Sequence, residues 1–199
     1  MKRCFREPIP ELYDAARYLD AAVSAHMGGH FGLAKQLIAL ADMPAIREWT
    51  ESIWGAGSPY VTPSQATKMD LVRSDEQARM PSVLVKEQLR ERDGYHCRFC
   101  GTPVVRAEIR SQLHKSYPQA LRWGSRNSEQ HTAFQAMWLQ YDHLVPHARG
   151  GGNGLGNLVV TCAPCNYGRM NFTLAEVGLA DPFAFAPINS WWDGLERLR

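Results

Sequence analysis

Long apolar runs are missing from this chain of 199 residues. No stretch of ~18 consecutive apolar residues occurs, so nothing in it has the length to cross a bilayer as a helix. The start, "MKRCFREPIPELYD", has basic residues, but Glu7, Glu11 and Asp14 interrupt it, and no apolar segment of an export signal stands behind the charges. The expectation is a cytosolic protein without a membrane partner. Strong net charge is missing too. The formal balance is +2, with 45% hydrophobic and 21% charged residues, ordinary values for a globular protein. No internal repeat or low-complexity tract appears. Cysteines are few, five in all, and in a reducing compartment such a set supplies metal ligands or free thiols more readily than disulfides.

The charge is unevenly placed. From Ser82 to Asn171, eleven lysines and arginines stand against six acids. Residues 1–81 carry nine against ten, and the tail from Phe172 carries two against four. The basic excess coincides with four of the cysteines and five of the seven histidines, which favours an anionic ligand for that segment.

The spacing predicts helices in residues 1–54. "PELYDAARYLDAAVSAHMGG" places Leu12, Ala15, Ala16, Leu19 and Val23 on one face and stops at Gly28-Gly29. "FGLAKQLIALADM" and "PAIREWTESIWG" read as two shorter helices, the last opened by Pro44 and closed by Gly55. This region is expected to be a packing unit, with His26 and His30 as turn or surface residues. Residues 55–81, rich in Gly, Pro, Ser and Thr early on, read as a connector with room for one short helix.

Chemistry begins at Ser82. "SVLVKEQLRERDGYHC" reads as a helix with Val83, Leu84 and Leu89 apolar, ending at Asp93-Gly94. Then come Cys97-x2-Cys100 and, far along the chain, Cys162-x2-Cys165. A Cys-x2-Cys loop lets both sulfurs face one point, and two such loops complete a tetrahedron at ~2.3 Å zinc–sulfur distances. The gap exceeds that of a zinc ribbon, so other structure must bring the halves together. Such a closed site holds a fold and does no chemistry; Cys4 is left over. Between the halves, "YDHLVPHARGGGNGLGNLVVTCAPCNYGRMN" reads as a strand (Tyr141 to Val145), a loop (Gly150 to Gly156), a return strand (Leu158 to Val160) and a helix opened by Pro164.

"RDGYHCRFCG", "DHLVP…RGG", "GNLVVTCAPCN" and "YGR" together resemble the HNH nucleases of the ββα-metal fold, in the version with four zinc-binding cysteines. The resemblance covers Val83 to about Leu179. It implies an α+β protein, mainly helical, with a small zinc-bound ββα core. That core is a nuclease domain over 82–179 with a helical insertion at about 102–140, followed by a tail at 180–199. It implies that Cys97, Cys100, Cys162 and Cys165 bind structural zinc. It further implies that His143 is the general base and that Asp142 and Asn166 hold a catalytic divalent ion. Asn157 is implied to bridge loop backbone and position His143. Asn166 replaces the family's more frequent histidine, and oxygen ligands favour Mg²⁺ or Mn²⁺. Arg169, three residues beyond Asn166 on the same helix face, is expected to grip the scissile phosphate, with Arg149 and Arg98 as further phosphate contacts.

The expected activity is divalent-dependent hydrolysis of DNA. The rival is a zinc-stabilised nucleic-acid- or protein-binding module without catalysis; a thiol redox protein is a third class. One geometric conflict stands out: neighbours on a regular strand point to opposite faces, so Asp142 and His143 share one phosphate only where the strand twists or ends. Taken alone, an Asp-His pair is more often a hydrogen-bonded surface couple. His96, His114, His131 and His147 are expected to be surface or structural residues. The insertion "VRAEIRSQLHKSYPQALRWGSRNSEQHTAFQAMWLQ" reads as two helical stretches broken at Pro118 and Gly124, serving a DNA- or partner-binding lobe or a solvated decoration equally well. Trp191-Trp192 in the tail is expected to pack on the domain. The N-terminal helices and this tail are the candidate surfaces for a protein partner or a second copy.

Overall fold

The computed structural model describes residues 1–55, 58–60 and 80–199. Most of the expected connector, with its short helix, lies outside the described residues.

Three helices open the chain: α1 (Pro10–Met27), α2 (Phe31–Leu40) and α3 (Pro44–Trp54). Pro10 and Pro44 sit at the first helical turn, where the missing N–H costs nothing. The apolar stripe of α1 is fully buried at Leu12, Ala15, Leu19 and Val23, and it packs on α2. In α3 the buried residues are Ile46, Trp49, Thr50 and Ile53. Burying each large apolar side chain contributes about 1.5–3 kcal/mol.

Helix α4 (Val83–Asp93) is capped by Ser82, whose hydroxyl accepts from the Val85 N–H at 3.3 Å. It ends at Gly94, whose φ of +67° favours glycine. Its apolar residues behave differently from expectation. Val83 and Leu84 are exposed, and only Leu89 and Asp93 are buried, because α4 meets strand β2 through its C-terminal half. The insertion forms α5 (Ala107–Ser116) and α6 (Thr132–Ala136), with an irregular stretch between them that includes Pro118 and Gly124.

Among the described residues the sheet is a single antiparallel pair, β1 (Leu139–His143) and β2 (Leu158–Cys162), in the register Leu139 to Cys162, Tyr141 to Val160 and His143 to Leu158. Helix α7 (Ala163–Arg169) follows directly. The order strand, loop, strand, helix is therefore present, and the fold is mixed: helices around one small hairpin. Strand β1 begins and ends two residues earlier than its sequence suggests, because the N–H groups of Leu144 and Val145 are captured by Asn157 rather than by a continuing strand.

The N-terminal helices share one continuous core with the hairpin; Leu12, Trp49, Ile53, Phe99, Phe134 and Val159 belong to the same buried cluster. A β-carbon on Gly168 would stand 2.8 Å from Cγ2 of Ile53, so this glycine is what lets α7 lie against α3. His131 is a structural residue: it is buried, and its Nε2 lies 2.9 Å from the Ile38 carbonyl. His26 is tied to the Tyr117 hydroxyl at 2.7 Å. No helix among the described residues is long and apolar enough to cross a membrane.

The tail divides its two tryptophans. Trp192 is buried and donates from Nε1 to the Val104 carbonyl at 3.0 Å, while Trp191 is exposed. Gly194 makes this turn possible: its φ is +68°, and a β-carbon there would strike the Tyr95 ring. Trp192→Ala removes a buried indole and its hydrogen bond, so the unfolding free energy should fall by about 3–5 kcal/mol. Urea denaturation measures this, and a change under ~1 kcal/mol would show that the tail does not hold the fold.

A candidate four-cysteine metal centre and the hairpin it carries

The two Cys-x2-Cys halves meet because β2 is bonded along both edges. One edge pairs with β1. On the other, the Arg98 N–H donates to the Val160 carbonyl at 2.9 Å, and the Val160 N–H donates to the Asp93 carboxylate at 2.9 Å. Asp93 is fully buried and receives two bonds of 2.7 Å from the Arg92 guanidinium. Arg92 also donates to the Leu158 carbonyl at 2.7 Å. The stretch "RDG" before the first cysteine thus fastens that segment to the strand leading to the third.

The sulfurs of Cys97, Cys100, Cys162 and Cys165 all lie within 4.8 Å of one another, and all four residues are buried. The Cys100 and Cys162 sulfurs are 3.6 Å apart, close to the ~3.8 Å edge of a tetrahedron with ~2.3 Å metal–sulfur bonds. Thr102 sets its hydroxyl 3.1 Å from the Cys100 sulfur, where it can donate to a thiolate. Burial opposes charge on Cys97, Cys162 and Cys165. Cys97 is nonetheless held well below the ordinary thiol range by the neighbouring thiols of Cys100, Cys162 and Cys165. Cys162 is pushed up by burial, and Cys165 by its sulfur neighbours, Cys100 first. Four such groups ionise together only around a cation, and an all-sulfur tetrahedral set fits Zn²⁺. These cysteines would hold the ion and leave no position for substrate. Cys4 stands outside the quartet as a buried thiol that burial keeps protonated.

His143 closes β1. Its Nε2 lies 2.8 Å from Oδ1 of Asn153, and its ring meets that of His147 edge-on with centroids 5.7 Å apart. Asn157 ties the loop: its Oδ1 accepts from the Val145 N–H at 2.8 Å, and its Nδ2 donates to the carbonyls of Val145 at 3.1 Å and Gly152 at 2.9 Å. Gly151 is needed for this closure, since a β-carbon would overlap the Val145 carbonyl.

Asp142 takes a different direction. It is buried, and Nε and Nη2 of Arg169 engage its two carboxylate oxygens, the first at 2.9 Å. Burial pushes the Asp142 carboxyl up, and the guanidinium pulls it back. Arg169 is itself 1% exposed and also donates to the carbonyls of His143, Leu144 and Phe172. Its expected role as a phosphate contact is therefore corrected: the side chain is spent inside the protein, joining α7 to the end of β1. The expected metal role of Asp142 meets the same obstacle. As the residues stand, its oxygens face an arginine, so Asp142 does not fit a divalent ion. Asn166 is half-buried on α7.

Two other expected phosphate contacts are also turned inward. Arg98 is buried, donates to the carbonyls of Pro182 and Phe185 at 2.8 Å, and stands 3.7 Å from Asp93. Arg149 makes two 2.8 Å bonds to Glu176, whose carboxyl it holds below the usual range. Basic side chains instead gather elsewhere: Lys86, Arg90, Arg106 and Arg199, with Glu87 and Glu108 among them, line a cavity of about 350 Å³ beside β1. Asn153, Thr102 and Asp93 escaped sequence reasoning. Asn153 is hidden in a glycine run that reads only as a turn, and Asp93 looks like a helix terminator.

No family model, curated protein or solved structure matches the chain.

Purified protein should carry about one equivalent of zinc, measured by elemental analysis, and Cys162→Ser should abolish it with loss of the folded hairpin. Zinc-free protein with an unchanged circular dichroism spectrum and melting curve would refute the metal centre. Arg169→Met leaves a buried unpaired carboxylate and should cost about 3–5 kcal/mol in urea unfolding. The double change Asp142→Leu with Arg169→Met should recover most of that loss. A single change costing under ~1 kcal/mol would show that the pair is not structural.

Proposed function

We propose that the protein is a nuclease that hydrolyses DNA phosphodiester bonds, with His143 as the general base. The observation that carries this reading is the setting of His143. Its imidazole stands, buried, at the end of a strand, on a hairpin closed by Asn157 and anchored beside the four-cysteine centre. Asn153 accepts from Nε2–H, so in a neutral imidazole the lone pair is on Nδ1. Such an imidazole takes a proton from water as the oxygen attacks phosphorus in line. Asn157 acts as a positioning residue: it sets the backbone just beyond His143, and with it the direction of the ring. A divalent ion, where bound, supplies charge neutralisation at the phosphate and at the departing 3′ oxygen. Asn166 is its remaining candidate ligand while Asp142 stays with Arg169.

One observation favours a second reading. The Asp142–Arg169 pair closes off a carboxylate that the HNH resemblance gives to the catalytic ion. This is what a zinc-stabilised binding module with an idle site would show.

The two readings separate in a plasmid-nicking assay with Mg²⁺ or Mn²⁺. Under the nuclease reading, His143→Ala should lower the rate by about 10²- to 10⁴-fold with zinc content and circular dichroism unchanged. A protein that binds DNA, never cleaves it with any divalent ion, and is indifferent to His143→Ala is a binding module.

A further inference from the structure

Four aromatic side chains form a continuous edge-to-face series. Along Trp123, Trp138, Tyr167 and Trp54 the ring centroids are 6.1 Å, 6.4 Å and 5.4 Å apart. Arg110 lies over two of them, 3.7 Å from the centroid of Trp123 and 4.9 Å from that of Trp138, which holds the Trp138 indole in place. Trp54, Trp138 and Tyr167 wall a cavity of about 440 Å³, within the ~300–1,000 Å³ span of small-ligand sites. The polar part of its wall consists of amides, Asn127, Gln130 and Gln135. Gln135 Nε2 donates to Gln130 Oε1 at 3.3 Å and Gln130 Nε2 to the Gly124 carbonyl at 3.1 Å, so these two amides brace the wall, and Asn127 is the amide left to offer a paired donor and acceptor to a base edge.

Two placements connect this cavity to the proposed site. Tyr167 comes directly after Asn166 on α7, and Met170, one helical turn on from Asn166, also lines the cavity. Trp138 borders both this cavity and the one beside β1, whose wall holds Lys86, Arg90, Arg106 and Arg199 together with Glu87 and Glu108. Arg106 is paired there with Glu108 and Glu196, and Arg199 with Glu196, which leaves Lys86 and Arg90 as the cations without a carboxylate partner among these pairs. In that wall, Arg90 donates to the Tyr141 hydroxyl at 2.6 Å and Lys86 sits 5.8 Å from the same ring's centroid. A single indole therefore separates a cavity with an excess of cations, four against two carboxylates in its wall, from an aromatic one. A nucleic-acid strand has the same two-sided chemistry, phosphates along one side and π-faced bases along the other. An apolar peptide would match the rings but not the cations.

We propose that the aromatic cavity receives an unstacked base of a DNA strand whose phosphates lie in the basic cavity across Trp138. The assignment of DNA rests on the nuclease reading; the pocket itself rests on the geometry of the two cavities. The nuclease would then act on DNA that is single-stranded, or from which a base is drawn out, and Tyr167 and Trp138 would be stacking residues.

The test is fluorescence anisotropy with a labelled single-stranded DNA of about 12 nucleotides, without added divalent ion, on full-length protein of verified zinc content. Tyr167 is 44% exposed, so its replacement leaves the core intact. Tyr167→Ser should weaken binding by about 5- to 100-fold, and Tyr167→Phe, which keeps the ring, by less than about twofold. On the unaltered protein, an oligomer of abasic nucleotides should bind as weakly as intact DNA binds Tyr167→Ser. Equal affinity for abasic and intact strands overturns the proposal, as does an unchanged Kd in Tyr167→Ser. Tighter binding of RNA with the same Tyr167 dependence overturns the choice of DNA. A dimer in sedimentation that Tyr167→Ser dissolves shows a second copy in the cavity instead. Base-dependent binding without cleavage in Mg²⁺ or Mn²⁺ defeats the nuclease reading and keeps the pocket; cleavage with base-independent binding does the reverse.

Discussion

Four buried sulfurs within one coordination sphere constrain everything around them. A short two-stranded hairpin is marginal by itself, and the one here has only five residues in each strand. It persists because β2 ends in Cys162 and α7 carries Cys165, while the segment beyond α4 supplies Cys97 and Cys100. The protein scaffold brings these pieces together before any metal bond is drawn, through Asp93 on the Val160 N–H and the Arg98 N–H on the Val160 carbonyl. A cation adds to this by relieving the conflict among thiols that burial keeps from ionising together. Scaffold and centre are thus mutually dependent, which is why a chain with so little sheet can present a strand end in a fixed direction.

The elements were largely legible in the sequence because their signals are local. Pro44, Gly55 and Gly94 mark helix ends through backbone chemistry that does not depend on distant neighbours. The cysteine spacing was legible for the same reason. What escaped was long-range. Val83 and Leu84 look like core residues and lie in solvent, because only the far half of α4 finds a strand to pack on. Arg98, Arg149 and Arg169 look like phosphate contacts by position. Each is consumed by an acceptor that sequence cannot locate: the Pro182 and Phe185 carbonyls, Glu176, and Asp142. The aromatic series assembles Trp54, Trp123, Trp138 and Tyr167 from four separate stretches, so no window of sequence contains it.

The conflict between strand geometry and a shared Asp-His site is visible in the fold. Alternation along β1 sends consecutive side chains apart, and here they find separate partners: Asp142 in Arg169, His143 in Asn153. The acid therefore serves the interior and the imidazole serves the loop. Arg169 bridges the two by also holding the His143 carbonyl, so the buried pair fixes the backbone from which the imidazole extends. An ion pair with both partners nearly inaccessible contributes little net stability relative to apolar packing, but losing one partner is costly. Its effect is to define one arrangement of α7 against the end of β1.

That arrangement determines which surfaces lie next to one another. With α7 pinned through Arg169 on one side and against Ile53 at Gly168 on another, Tyr167 has to face away from the sheet, toward Trp54 and Trp138. The same short helix thus carries a cysteine of the metal centre, an amide at the proposed reaction site and a ring of the aromatic cavity. A rotation of α7 by one residue would place a different side chain in each of these positions, because neighbours on a helix lie ~100° apart around its axis. The cysteine cluster at one end of the helix and the buried ion pair at the other prevent that rotation, so the candidate metal centre and the shape of the candidate nucleic-acid surface depend on the same seven residues.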